Sequence, residues 1–204
     1  WDQIGSIDIQ NLYLRPEIGS ECVLSGDGST VVLSGGKGND AKVFVYAYDG
    51  SAWSQKGSTF TTDSTSTLWQ EFYGEHLNIN YDGSMVAFGY SGYNSGYNLT
   101  KVNCPGKNEG RIFIYKYLNN EWNQHGETIV GHKGNCFLSE NFHLGENGDR
   151  IILSANDGTS GKGHNVYVYQ YHDSYWYQLT ESLEMVHPVN NGTGNSLMRE
   201  PVNL

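Results

Sequence analysis

The residues that could take part in catalysis, metal binding or anion binding include seven histidines, three cysteines and three Gly-Lys pairs. The histidines show neither an HExxH motif nor a Cys/His finger spacing, so they predict no metal centre. Asp27 and Asp82 recur at equivalent points of a repeat, which favours a turn role over catalysis. Neither a GxSxG elbow nor a Ser/His/Asp set stands out. We therefore predict no catalytic residues, no cofactor and no metal, and that the protein is not an enzyme.

Two groups of polar residues are candidates for recognition. The Gly-Lys pairs lack the Walker spacing and a following helix, so they predict no phosphate loop. They indicate either lysines directed at an anionic glycan or solvated lysines in ordinary turns. A Tyr/Asn/Gly-rich segment suits recognition, because tyrosine offers contact area at low entropy cost, and it equally suits a structural contact. The candidate ligand or partner face comprises Lys37, Lys107, Lys162, Tyr93, Asn94 and Tyr97.

Two sites match the acceptor pattern for N-glycosylation. They are Asn98, followed by Leu99-Thr100, and Asn191, followed by Gly192-Thr193. In a chain this rich in Asn, Ser and Thr such matches also arise by chance. Asn98 is the stronger candidate, because it falls in the longest predicted loop.

A repeat determines the elements that must position these residues. Trp53, Trp122 and Trp176 are each followed two places on by Gln and preceded by an alternating aromatic and aliphatic run. Turn formers lie between the run and the Trp, as in Asp49-Gly50. This pattern predicts a β-hairpin with a short connection, three times over.

A second hairpin lies upstream of the first in each repeat. Its turns are Asp27-Gly28, Asp82-Gly83 and Asn147-Gly148, each between two short apolar runs. Each repeat is therefore predicted to form four short strands, a to d. Strands b and c are apolar on both faces, which requires a layer on each side of the sheet. Blades stacked around an axis provide those layers, so we predict an all-β fold, a partial β-propeller.

Each repeat resembles a kelch-type propeller blade, in which a strand ending in glycine is followed by Tyr and, after six further residues, by Trp. The pairs with this spacing are Tyr46 and Trp53, Tyr115 and Trp122, and Tyr169 and Trp176. The paired glycines of such blades occur only at Gly35-Gly36. The repeat is also similar to integrin-type (FG-GAP-like) blades without their calcium loop, and to secreted repeat proteins of algae and other protists. The resemblance implies a blade and specifies no activity.

The predicted organisation is three four-stranded antiparallel blades plus one leading outer strand. Its segments are the outer strand of a preceding blade (1–10), blade 1 (11–60), blade 2 with a long b–c loop (61–130), blade 3 (131–180) and an irregular tail (181–204). Closed propellers have more blades than three. We therefore expect either a segment of a longer chain, which a first residue Trp1 also favours, or blades supplied by another subunit.

The cysteines have two predicted environments. Cys22 takes the place of Leu77 and Phe142 in the other repeats and is expected to be a buried small hydrophobe. Cys104 and Cys136 fall in b–c and d–a loops of neighbouring blades, which emerge on the same face of a propeller. They are predicted to form a disulfide, and the alternative is two free thiols in a reducing compartment.

The predicted function is a non-enzymatic extracellular structural or adhesive module of a larger surface or filament assembly. The alternatives are a lectin-like glycan-binding propeller and an intracellular kelch-like adaptor. An enzyme with its site in the central funnel would need polar residues on strand a, where we find mostly Leu24, Ile79 and Leu144.

The expected partners are other protein chains, further blades of the same longer chain, or glycans. Nucleic acid is disfavoured by 12 Lys+Arg against 22 Asp+Glu, a formal charge of −10. No apolar run is long enough for a membrane span.

The disulfide, the glycosylation and the secreted location are tested together by the intact mass of the non-reduced protein from its source. We expect a mass increased by hexoses and no alkylation of Cys104 or Cys136. A glycan-free protein with three reactive thiols would contradict all three expectations.

Overall fold

The computed structural model describes residues 3–7, 21–35, 42–61, 76–90, 110–130, 141–156, 164–179 and 183–185. Within these ranges the regular structure consists of fifteen β-strands. The same ranges contain no helix long and apolar enough to cross a membrane.

The strands form three separate antiparallel sheets, which we call blades 1, 2 and 3. Blade 1 contains β1 (Glu21–Leu24), β2 (Thr30–Gly35), β3 (Lys42–Tyr48), β4 (Trp53–Gln55) and β5 (Phe60–Thr61). Blade 2 contains β6 (His76–Ile79), β7 (Met85–Tyr90), β8 (Arg111–Leu118), β9 (Glu121–Gln124) and β10 (Ile129–Val130). Blade 3 contains β11 (Asn141–Leu144), β12 (Arg150–Asn156), β13 (His164–His172), β14 (Tyr175–Gln178) and β15 (Leu183–Met185).

Each blade has the same order of strands. In blade 1, β1, β2, β3 and β4 are neighbours in chain order, and β5 pairs with β3 beside β4. The outer strand d of each blade therefore has two parts. These parts are β4 and β5 in blade 1, β9 and β10 in blade 2, and β14 and β15 in blade 3. The predicted fold class, a partial propeller of three four-stranded antiparallel blades, is confirmed.

An aspartate closes the a–b turn of blades 1 and 2. Asp27 Oδ1 accepts hydrogen bonds from Ser25 Oγ at 2.6 Å and from Ser29 N–H at 2.9 Å. Asp82 Oδ1 likewise accepts a bond from Ser84 N–H at 2.9 Å. These hydrogen bonds lower the pKa of both carboxyls. The backbone also joins the turns of successive blades, because Asp27 N–H donates to Tyr81 O at 3.0 Å.

The blades pack face to face through two apolar interfaces. The blade 1–2 interface buries Val32, Val43, Val45 and Phe60 of blade 1 against Leu77, Ile79, Val86 and Phe88 of blade 2. The blade 2–3 interface buries Met85, Ala87, Ile112, Ile114 and Ile129 of blade 2 against Leu144, Ile151, Leu153, Ala155 and Tyr169 of blade 3. Because blade 2 is covered on both faces, its b and c strands contain apolar residues at nearly every position.

At the edge of the blade 1–2 interface, a tryptophan of one blade is bound to the outer strand of the preceding blade. Trp122 Nε1 donates to Lys56 O at 2.7 Å. A Cβ on Gly57 would lie 2.6 Å from Trp122 Cδ1, so only glycine leaves room for the indole. The Lys56 ammonium donates to Gly83 O at 2.7 Å and lies 5.2 Å from the ring centre of Tyr117.

The blade 2–3 interface repeats this arrangement. Trp176 Nε1 donates to His125 O at 2.9 Å, and a Cβ on Gly126 would lie 2.8 Å from Trp176 Cδ1. The imidazole of His125 occupies the place of the Lys56 side chain and stacks on Tyr171 with 3.7 Å between ring centres. The tryptophan of the repeated Trp-x-Gln pattern thus makes an indole–glycine contact between blades.

The faces of the two end blades that point away from blade 2 are open. Cys22 is exposed, so its predicted burial is wrong: its equivalent Leu77 is covered by blade 1, whereas no described residue covers Cys22. At the edge of this face Gly5 lies against Trp53, where an added Cβ would be 3.2 Å from Cδ1. Residues 3–7 therefore contact blade 1 as the outer strand of blade 1 contacts blade 2.

The indole–glycine contact is tested by Gly57→Ala with Gly28→Ala as its matched control. Both glycines have φ of +74°, but a Cβ on Gly28 would meet nothing within 4 Å. Both variants incur the same cost of about 1–2 kcal/mol for a left-handed alanine. We expect Gly57→Ala to lower the free energy of unfolding, measured in urea, by about 1–3 kcal/mol more. Equal losses in the two variants would contradict a tight contact.

Candidate functional site

The inner strands β1, β6 and β11 carry polar side chains at alternate positions. The apolar residues Leu24, Ile79 and Leu144 occupy one side of each strand, as the sequence indicated. The residues on the other side are Glu21 and Val23 of β1, His76 and Asn78 of β6, and Asn141 and His143 of β11. The apolar residues noted in the sequence thus describe only one side of the inner strands, because five of the six positions on the other side are polar, Val23 being the exception. We call Glu21, His76, Asn78 and His143 the inner-strand cluster.

These side chains reach from each inner strand to the backbone of the next. Glu21 Oε2 accepts a hydrogen bond from Leu77 N–H at 3.0 Å. Asn78 Oδ1 accepts a bond from Leu144 N–H at 3.1 Å. In both cases the side chain reaches the residue one place further along the neighbouring inner strand. The inner strands of successive blades belong to separate sheets, so these bonds satisfy N–H groups that no strand pairing serves.

Glu21 has an environment that alters its acidity. Desolvation raises the pKa of its carboxyl above the ordinary value of 4.5, while the charge of His76 and the bond from Leu77 N–H act in the opposite direction. Burial predominates over these two effects. A carboxyl with a raised pKa beside an imidazole is a combination suited to proton transfer.

The second half of the cluster is an amide–imidazole contact. Asn78 Nδ2 lies 3.2 Å from His143 Nδ1, within hydrogen-bonding distance. The side chain of Asn78 thus connects blade 2 to blade 3 twice, through Leu144 and through His143. The contact is exposed, so a small molecule has access to it.

The cluster begins at the end of the sheets from which the b–c loops leave. Glu21 is paired with Ser34 and His76 with Gly89, close to the ends of β2 and β7. The loops that follow these strands contain the predicted ligand face. Those residues lie outside the described part of the chain, as do both predicted glycosylation sites and the predicted disulfide; they are Lys37, Lys107, Lys162, Tyr93, Asn94, Tyr97, Asn98, Asn191, Cys104 and Cys136.

Sequence reasoning missed the inner-strand cluster, although the signal was available. Only the apolar positions of strand a were compared between repeats, whereas the intervening positions differ in every blade. A position whose residue differs from one repeat to the next is a candidate for a function that need occur only once in the chain. Within the described ranges no group of three or more His, Cys, Asp or Glu side chains could hold a metal ion.

No protein-family model matches the chain, and no curated protein matches it by sequence. Among solved structures, a candidate 6-phosphogluconolactonase from Bacteroides fragilis is similar, with a TM-score of 0.51 and 12% identity. The similarity covers 81% of this chain and 39% of that structure, so the chain spans about two fifths of its length. At this identity the similarity shows a shared propeller-like fold, and no particular repeat family is shown.

The comparison corrects the functional prediction. A non-enzymatic structural or adhesive module was inferred from repeated blades, and the two alternatives, a lectin-like propeller and a kelch-like adaptor, rested on the same architecture. The solved protein that shares this architecture is described as a candidate enzyme. The same fold thus occurs in a candidate enzyme, which contradicts the prediction of a non-enzymatic structural or adhesive module from the blades alone.

The connection between blades 2 and 3 through Asn78 is tested by two substitutions. We expect Asn78→Ala to lower the free energy of unfolding by about 1–3 kcal/mol, because Leu144 N–H loses its acceptor. Asn78→Asp keeps that acceptor and is expected to cost less. Denaturant titration of both variants checks the difference, and an alanine variant as stable as the aspartate variant would argue against the bond.

Proposed function

We propose that the protein is a propeller enzyme that hydrolyses the ring ester of a sugar-derived lactone, and that this chain contributes the inner-strand cluster to its active site. The observation that supports the proposal is the half-buried Glu21 carboxyl beside His76, on the first strands of neighbouring blades. The shared fold with a candidate 6-phosphogluconolactonase suggests the class of substrate.

Lactone hydrolysis needs a group that removes a proton from water as the water attacks the ester carbonyl. A water proton passes to the base as a new C–O bond forms at the carbonyl carbon. The ring C–O bond then breaks, and the protonated base returns the proton to the departing ring oxygen, which leaves an open hydroxy acid. Neutral His76 is suited to act as the base, and ionised Glu21 would stabilise the imidazolium that forms. Asn78 and His143 would contact the hydroxyl groups of the sugar.

The environment of Glu21 supports this division of roles. Its bond from Leu77 N–H fixes the carboxylate on the inner strand, so the charge is already in position before a substrate binds. Partial burial strengthens the interaction between carboxylate and imidazolium relative to water.

The proposal is tested by lactone hydrolysis at constant pH, corrected for the spontaneous reaction, with gluconolactone and its 6-phosphate. We expect the protein at its native length to accelerate hydrolysis and His76→Gln to lower kcat/KM by about 100-fold or more. Glu21→Gln is expected to lower it by about 10-fold, because the imidazolium loses its charged partner. His172→Gln is the control, because His172 lies on the surface with 73% of its side chain exposed.

The pH dependence provides a second readout. The carboxylate form of Glu21 is the active one, and its pKa is raised, so its contribution is lost as the pH falls through a value above 4.5. We expect Glu21→Gln to remove this step from the acid side of the profile. No acceleration of either lactone, or equal rates for His76→Gln and His172→Gln, would exclude the proposed function.

A further inference from the structure

The exposed face of blade 3 contains an apolar residue at a position that is fully buried in the other two blades. Ile152 is 45% exposed, whereas its equivalents Val32 of blade 1 and Ala87 of blade 2 are both 0% exposed. The strand registers establish the equivalence, because these residues pair with Val23, Asn78 and His143 at one position of the inner strands. In blades 1 and 2 this position is buried against the next blade.

The outer strand of blade 3 extends this apolar surface. Tyr175 and Tyr177 of β14 and Leu179, which directly follows it, lie at alternate positions and are 48%, 51% and 49% exposed. The rings of Tyr175 and Tyr177 contact each other with 6.3 Å between centres. The equivalent positions of the other outer strands are mostly polar; they are Ala52, Ser54 and Lys56 in blade 1 and Glu121, Asn123 and His125 in blade 2. The outer edge of blade 3 is therefore more apolar than the outer edges of blades 1 and 2, which are already packed against a following blade.

Between the inner and outer strands the same face is concave. A groove of about 300 Å³ is lined by residues of β11, β12 and β13, among them His143, Ile152, Ser154 and Val166. These residues, with Tyr177 and Leu179, form what we call the open face of blade 3. It is continuous with the packed sheet beneath it, where Ile151 and Leu153 are buried against blade 2.

We propose that the open face of blade 3 binds a further four-stranded blade of the same repeat type. The two interfaces present in the chain define the chemistry of this partner. Its side that meets blade 3 carries apolar residues on strands a and b, as Leu77, Ile79, Val86 and Phe88 do toward blade 1. Its outer edge differs from those of blades 2 and 3, because the sequence has Thr180 at the position where Gly57 and Gly126 accommodate an indole. The covering blade therefore carries a smaller side chain in place of Trp122 and Trp176.

The outer edge of blade 1 argues against a second copy of this chain as the partner. A second copy would bring its Trp53 to the position of Thr180, where the glycine that accommodates an indole is absent, and Gly5 of its own chain already lies against Trp53. A blade with an unoccupied outer position is needed instead. The solved structure of the same fold extends well beyond these three blades, because the similar region is 39% of its length.

The proposal is tested by hydroxyl-radical footprinting of the protein isolated from its source at native length. The reporters are Ile152 and Tyr177, and the matched controls are Leu118 and Tyr81, with 48% and 53% exposure at the blade edges. Because the packing of an interface core matches that of a protein interior, we expect the reporters to be oxidised about 10-fold more slowly than the controls. Equal oxidation of Ile152 and Leu118 would overturn the proposal.

The recombinant 204-residue chain distinguishes a further blade from a second copy. We expect it to sediment as a monomer at all concentrations and its Ile152 to be oxidised as readily as Leu118. A dimer in which Ile152 becomes protected would assign the face to a second copy and would also overturn the proposal. The result is independent of lactonase activity, since neither reporter belongs to the inner-strand cluster.

Discussion

The contact between a tryptophan and a glycine of the preceding outer strand is the constraint on which the arrangement of the blades depends. The indole is too large to be accommodated unless the facing residue lacks a side chain, and its N–H needs an acceptor once it is half-buried. The carbonyls of Lys56 and His125 provide that acceptor, at 2.7 and 2.9 Å. Apolar packing alone would allow neighbouring blades to slide, whereas this directional bond fixes their register.

The inner strands are subject to a second constraint, which is the need for hydrogen-bond acceptors. The inner strands of successive blades lie in separate sheets, so their outward N–H groups need partners from elsewhere. Glu21 and Asn78 provide those partners. The same side chains belong to the inner-strand cluster, so residues that complete the fold are also those proposed for chemistry. A substitution there affects stability and any activity together, which is why conservative pairs such as Asn78→Ala and Asn78→Asp are informative.

The sequence predicted the blades well and the site poorly, for physical reasons. Tight turns and double-sided apolar strands depend on local chemistry, so the Asp-Gly turns and the alternating runs located most of the strands. The inner-strand cluster was missed because its members differ between blades, and only repeated features were compared. The burial of Cys22 was wrong because burial depends on the neighbouring blade, which sequence periodicity does not describe. The lysines and tyrosines of the b–c loops remain predictions.

The hydrogen bonds between successive a–b turns have a mechanical consequence. Asp27 N–H is bonded to Tyr81 O, and Tyr81 N–H is bonded to Glu146 O, so the backbone of one residue of blade 2 is bonded to both neighbouring blades. Force applied to one blade therefore reaches the others through backbone bonds near the axis and through indole bonds at the rim. Two anchor points at different radii resist both twisting and splaying. We therefore expect the three blades to unfold as one cooperative unit and not blade by blade.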